Sequence, residues 1–215
     1  MLISFEGLPG AGKTTQSRRL ADRFRQNGVT VAYLPDLATL STDPLGDTLV
    51  ASFASSGDPF RRHSDVLTDT LLAAAIRAQI TAVVIAPAAA THQVVIEDRG
   101  VHTMYAYSLA TLLRDYPTVE IAAGLRWLRA LGAMAGRRAD TAVWLRLPVA
   151  AAIDRAGGRD GVRYSGEQQF YLAHVDDAYR RLASNDPSML TVDVGDLDRD
   201  GVHELVYREI SRRIR

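Results

Sequence analysis

No cysteine occurs among the 215 residues, which excludes structural disulfides, zinc-thiolate sites and a cysteine nucleophile together. Net charge is missing too, since 25 Lys plus Arg balance 25 Asp plus Glu. A neutral chain exerts no global pull on nucleic acid or on an anionic membrane, so any anion site has to be local. There is no basic stripe interleaved with aromatics, and no nucleic-acid partner is expected. Long apolar runs are also absent. The longest, roughly Ala82 to Ala90, contains Pro87 and falls well short of the ~20 residues of a spanning helix. The start Met1-Leu2-Ile3-Ser4-Phe5-Glu6 has no basic segment followed by an apolar stretch. Neither a signal peptide nor a membrane partner is expected, and a cytoplasmic location is. No internal repeat and no dividing linker is visible. With 47% hydrophobic and 23% charged residues, a single globular domain over 1–215 is expected.

What is present is an alternation of strand and helix signals. Leu2 to Phe5, Val29 to Leu34, His92 to Ile96, Thr141 to Leu147 and Leu190 to Val194 are short β-prone runs. Between them the sequence predicts helices over Lys13 to Gln26, Ser64 to about Ala86, Val101 to Arg114 and Val119 to Ala135, then from Pro148, over Glu167 to Leu182 and over Val202 to Ile214. Pro44-Leu45-Gly46 and Gly57-Asp58-Pro59 mark turns around a further short helix. The segment Ala156-Gly157-Gly158-Arg159-Asp160-Gly161 is expected to break its helix and form a mobile loop. Five apolar strands alternating with helices specify an α/β fold, a parallel sheet covered on both faces.

Gly7-Leu8-Pro9-Gly10-Ala11-Gly12-Lys13-Thr14 fits the P-loop pattern of glycine, four residues, then Gly-Lys-Thr, and it lies between a predicted strand and a predicted helix. Glycines let successive N–H groups point at phosphate oxygens, and the new helix adds its positive end. Gly7, Gly10, Ala11, Gly12, Lys13, Thr14 and Thr15 are therefore the expected ATP-binding set. Lys13 should reach the β- and γ-phosphates, and the Thr14 hydroxyl should ligate Mg²⁺.

Four further segments, in the same order, resemble thymidylate kinases. They are Pro44-Leu45-Gly46, the helix Leu71-Leu72-Ala73-Ala74-Ala75-Ile76-Arg77-Ala78-Gln79, the run Val95-Ile96-Glu97-Asp98-Arg99 with Ala106-Tyr107 beyond it, and Arg155, Arg159 and Arg163 ahead of the Glu167 helix. The resemblance implies a P-loop kinase fold with strand order 2-3-1-4-5, a small arginine-bearing lid at approximately 156–166, ATP and Mg²⁺ as cofactors, a small-molecule nucleoside or nucleotide acceptor, and a homodimer.

Phosphoryl transfer asks for such groups on chemical grounds as well, because positioning and charge stabilisation do most of the work. Asp98 is placed to hold Mg²⁺ directly or through water, or else to cap a helix. Arg99 suits an acceptor phosphate, or a surface ion pair with Glu97 or Asp98. Arg155 and Arg159 suit transition-state charge over ATP, or a solvated face. Arg77 meets the acceptor base by resemblance; alternatively its stem carries the charge out to water.

Three positions depart from the family pattern. Pro9 replaces an acidic residue, Pro35-Asp36-Leu37 lacks the arginine that usually accompanies an acid after the second strand, and Ala73 replaces a stacking phenylalanine. The leading reading is a catalytic set Lys13, Asp36, Asp98, Arg99, Arg155 and Arg159 acting on a nucleoside monophosphate held by Asp36, Arg77 and Arg99. The alternatives are a kinase of a neutral hydroxyl with Asp36 as base, and an NTP-binding regulatory protein.

Overall fold

A computed structural model describes residues 1–36, 43–54 and 65–213. Leu37, Gly57-Asp58-Pro59, Ser64 and Ile214 lie outside the described residues. Five strands, β1 (Leu2–Glu6), β2 (Val31–Leu34), β3 (Val94–Asp98), β4 (Thr141–Arg146) and β5 (Met189–Asp193), form one sheet in the order β2-β3-β1-β4-β5. Every pairing is parallel, as expected for strands that are apolar throughout rather than in alternation.

The helices are α1 (Lys13–Gln26), α2 (Pro44–Ala54), α3 (Val66–Ile80), α4 (Ala86–Thr91), α5 (Val101–Asp115), α6 (Ile121–Met134), α7 (Val149–Asp160), α8 (Gly166–Ala183) and α9 (Arg199–Ser211). Alternation along a strand sends successive side chains to opposite faces. Ile3 and Phe5 join the core that contains Leu20, Ala21 and Phe24 of α1. Leu2 and Val95 point the other way and pack with Ile76, Ile80 and Ile85 of the long helix after residue 65. On that second face Tyr179 of α8 stacks on Trp144 of β4.

Two helices run through residues expected to stop them. Helix α3 continues through a π turn at Thr81–Ile85 into α4, so the strand expected from His92 starts at Val94. Pro87 falls in the first turn of α4, where its missing N–H is tolerated, and the wider turn before it absorbs the break in the hydrogen-bond ladder. The 26-residue helix Val66–Thr91 is long and apolar enough to cross a membrane, whereas Ala82 to Ala90 alone is not. Here one of its faces buries against the sheet.

The second is α7, which does not break at Gly157-Gly158 but runs to Asp160. It ends only where Gly161 turns left-handed at φ 66° and the chain folds back, with the Val162 N–H on the Gly157 carbonyl at 3.1 Å. The residues 156–160 expected to be a loop are helical.

Candidate active site

The site lies at the C-terminal ends of β1 and β3, adjacent strands in register with Phe5 opposite Asp98. This is the crevice where open parallel sheets bind ligands. Beyond β1 the chain turns at once through Gly7 to Gly12 and enters α1 at Lys13. Gly10 has φ 79°, and a Cβ there would stand 2.3 Å from the Ala152 carbonyl of α7. Only glycine fits, and the phosphate loop therefore rests on the backbone of the arginine-bearing helix. No side chain caps the start of α1, which leaves its first amides and its positive end to a ligand.

Lys13 is the only lysine in the chain. It is 6% exposed and donates to the Leu8 carbonyl of its own loop at 2.8 Å. Burial, with Arg99 second, pushes its ammonium well below the usual value. A desolvated cation with no touching counter-ion among the described residues is the electrostatic complement of an incoming phosphate.

The Thr14 hydroxyl donates to Asp98 Oδ2. Asp98 Oδ1 is buried without a hydrogen-bond partner among the described residues, and burial raises the carboxyl above its usual value against the Thr14 bond and Lys13. An orphaned carboxylate oxygen beside a threonine hydroxyl fits Mg²⁺, a hard cation that takes one or two carboxylates and completes its shell with water and phosphate oxygens. Asp98 is not a helix cap: the capping position of α5 is Gly100.

Arg99 follows with φ 73°, the one non-glycine residue in the left-handed region among the described residues, a conformation that costs about 1–2 kcal/mol. Its Nε donates to Asp36 Oδ2 at 2.7 Å. The ion pair expected with Glu97 or Asp98 is thus made with Asp36, across β2 and β3. The Arg99 guanidinium also lies against the Tyr107 phenol, which burial holds above its usual value. All three side chains line a cavity of about 450 Å³, together with Pro9, Ala73, Arg77 and Arg159. Two of the three departures from the family pattern, Pro9 and Ala73, share this cavity with Asp36, the acid that is kept beside the third. A smaller hollow of about 170 Å³, by Phe170 and His174, touches none of the phosphate-loop residues.

Arg77 is 3% exposed, so its stem does not lead the charge to water. Its two terminal nitrogens donate to Glu97 at 2.5 and 3.2 Å, and one of them also to the Arg137 carbonyl at 3.0 Å. Glu97, a strand residue inside an apolar run, was missed as its partner; the signal was an arginine inside an apolar helix, which demands a buried counter-ion. Arg155 is exposed, and Arg159 pairs with its neighbour Asp160 at 2.6 and 2.7 Å. Tyr107 and Tyr171 also line the cavity.

The comparisons with known proteins agree with this geometry. Residues 5–206 match the family model described as thymidylate kinase. A probable thymidylate kinase from Halorubrum lacusprofundi is 32% identical over 191 residues, covering 87% of this chain and 85% of the relative. A thymidylate kinase from a Synechococcus strain is 33% identical over 194 residues, 88% of this chain and 84% of its own. A probable thymidylate kinase from Thermococcus onnurineus is 31% identical over 217 residues, 99% of this chain and all of the relative. With the family model spanning most of the sequence, and a parallel sheet, phosphate loop and Asp-Arg turn in the positions described, the chain belongs to the thymidylate kinase family.

Proposed function

We propose that the protein transfers the γ-phosphoryl group of ATP to a nucleoside monophosphate. The observation that carries this reading is the Arg99 guanidinium, which lines a cavity that begins at Pro9 of the phosphate loop. Donor and acceptor then meet in one crevice. The loop amides and Lys13 hold the ATP phosphates, and Arg99 binds the acceptor phosphate, one of whose oxygens attacks the γ-phosphorus as the bond to the bridging oxygen breaks and ADP leaves. Arg77 and Asp36 line the acceptor side, Arg159 supplies transition-state charge from a lid at about 156–166, and Arg155 does so from α7 just ahead of it. Thr14 and Asp98 would hold Mg²⁺, which neutralises phosphate charge when bound. We further infer a single cytoplasmic domain acting as a homodimer without a nucleic-acid or membrane partner. Family resemblance supports the dimer, and α3 exposes Leu67 and Leu71 one turn apart. The test is ADP release with ATP, Mg²⁺ and a panel of nucleosides and monophosphates: turnover with a monophosphate is expected, and release only with nucleosides overturns the reading.

One observation favours a second reading, phosphorylation of a neutral hydroxyl. The Arg99 Nε is already engaged by Asp36, so the pair is electroneutral and a carboxylate lies in the acceptor cavity. Two variants separate the readings. With a monophosphate acceptor, Arg99→Ala should lower acceptor kcat/KM by the equivalent of about 2–4 kcal/mol with little change in ATP affinity. With a neutral alcohol, Asp36→Asn should be the more damaging change, by about 10²–10⁴ in rate. If both variants turn over the best acceptor normally, the acceptor pocket is elsewhere.

A further inference from the structure

Glu6 has no part in the chemistry above, yet it is fully buried at the end of β1, against the phosphate loop. Its two oxygens serve a single turn. Oε1 accepts the Gly100 N–H at 3.0 Å, and Oε2 accepts the Thr103 hydroxyl at 2.6 Å. That hydroxyl lies 3.0 Å from the Tyr179 hydroxyl. Behind the carboxylate stands His102, which has no exposed surface. Its Nε2 is 3.1 Å from Asp186 Oδ2, and its Nδ1 is 3.9 Å from Glu6 Oε1, with no hydrogen-bond partner. Asp186 also accepts from Arg138 at 3.1 Å and from the Ser188 hydroxyl at 2.6 Å. An ionised carboxylate only accepts, so Nε2 carries the ring proton. A continuous set of groups thus runs from Arg138 at the surface to His102 and ends there, 3.9 Å from the Glu6 carboxylate.

What Glu6 holds in place is the residue before Gly100. Arg99 sits in the left-handed region between two backbone anchors: its own N–H donates to the Phe5 carbonyl at 3.0 Å, and the next N–H donates to Glu6. Those two bonds flank the Arg99 Cα and so set the direction in which its side chain leaves the backbone. The close seat of the carboxylate also explains Gly100, where a Cβ would stand 2.9 Å from Glu6 Oε1 and 2.6 Å from Glu97 Oε1.

We propose that Glu6 is a positioning residue of the acceptor site, its carboxylate locking the turn from Arg99 to Thr103 so that the Arg99 guanidinium is aimed into the cavity. The inference rests on the reading of Arg99 as the acceptor-binding group. Glu6→Met keeps similar volume and removes both acceptor oxygens. Glu6→Gln keeps an oxygen for Gly100, while its amide donates to the Thr103 hydroxyl, which turns to donate to Tyr179.

The expected result is a loss of about 10–100-fold in acceptor kcat/KM for Glu6→Met, mostly in acceptor KM. Most of it should return in Glu6→Gln, and the affinity for a non-hydrolysable ATP analogue should stay within about twofold. In an Arg99→Ala background Glu6→Met should cost nothing further, because groups that act through one another are not additive. Additive losses, or ATP and acceptor weakening together, overturn the proposal. A second readout needs no turnover: the Arg99 Nε–H resonance, protected by its bond to Asp36, should persist in wild type and Glu6→Gln and fade in Glu6→Met. If the wild type phosphorylates no monophosphate, the functional reading fails while this resonance still decides the positioning role. Its persistence in Glu6→Met rejects that role. Should Glu6→Met not fold, Thr103→Val removes one of the two donors and is expected to act in the same direction.

Discussion

At the residue scale the side chain most open to direct test is Lys13, because it is the only lysine in the chain. Amine acylation needs the neutral amine, and burial lowers the Lys13 value well below that of an ordinary lysine. The neutral fraction at a given pH is therefore larger, and the rate of Lys13 modification should rise at lower pH than the usual lysine value of about 10.4 requires. Peptide-resolved mass spectrometry after brief treatment with an amine reagent should show Lys13 modified alongside the N-terminus, and ATP should block the lysine adduct alone. An adduct that forms equally with ATP present would remove Lys13 from the phosphate site. Lys13→Ala should fold with undiminished thermal stability, since it deletes an ammonium whose desolvation is unfavourable. Turnover should fall more than about tenfold, or ~1.4 kcal/mol of transition-state stabilisation; retention above that level would refute its role.

At the element scale α7 changes the expectation for a closing lid. Its residues 156–160 are already helical, so ordering on ligand binding has less to act on there than in the connection Gly161 to Ser165 ahead of α8. Arg163 is exposed within that connection. Trypsin should cut after Arg163 faster than after Arg155 or Arg159, and a saturating ATP analogue with acceptor should slow that cut. An unchanged rate at Arg163 would argue against a moving lid. This element also marks where sequence reading stops. The five strands and the phosphate loop were legible because their signals are local: an apolar run, a glycine turn, a helix start. The helical Gly157-Gly158 pair was not, since the bonds from Gly161 and Val162 back to Gly157 outweigh glycine's poor propensity. Pro87 is the same case, rescued by a π turn. In the site, the glycine-to-Gly-Lys-Thr spacing located Lys13 and Thr14, while Asp98 came from its place at the end of a β-prone run and from the family resemblance. The partners of Arg77 and Arg99 were not readable, because Glu97 and Asp36 lie 20 and 63 residues away and only the sheet register brings them together.

At the scale of the whole molecule, neutrality conceals a strongly partitioned interior. Arg77 with Glu97, and Arg138 with Asp186, which also holds the His102 ring, place paired charges under the active-site turn where each one needs its partner. Asp186 anchors the second set. The hydrogen bond from His102, aided by Ser188, holds its carboxyl well below the usual range against the opposing effect of burial. A carboxyl whose folded value is depressed contributes stability that is fully present above its unfolded value of about 3.9, and that is lost as the pH falls through that value towards the folded one. Asp186→Asn should therefore be less stable than wild type at neutral pH, and the gap should narrow as the pH falls from about 5 to about 3. Urea unfolding of both proteins across that range, at one fixed protein concentration so that any self-association enters equally, measures the gap directly. If the two midpoints run parallel down to the lowest pH, Asp186 stabilises the fold by packing alone, and its charge is not what holds the His102 ring behind the turn.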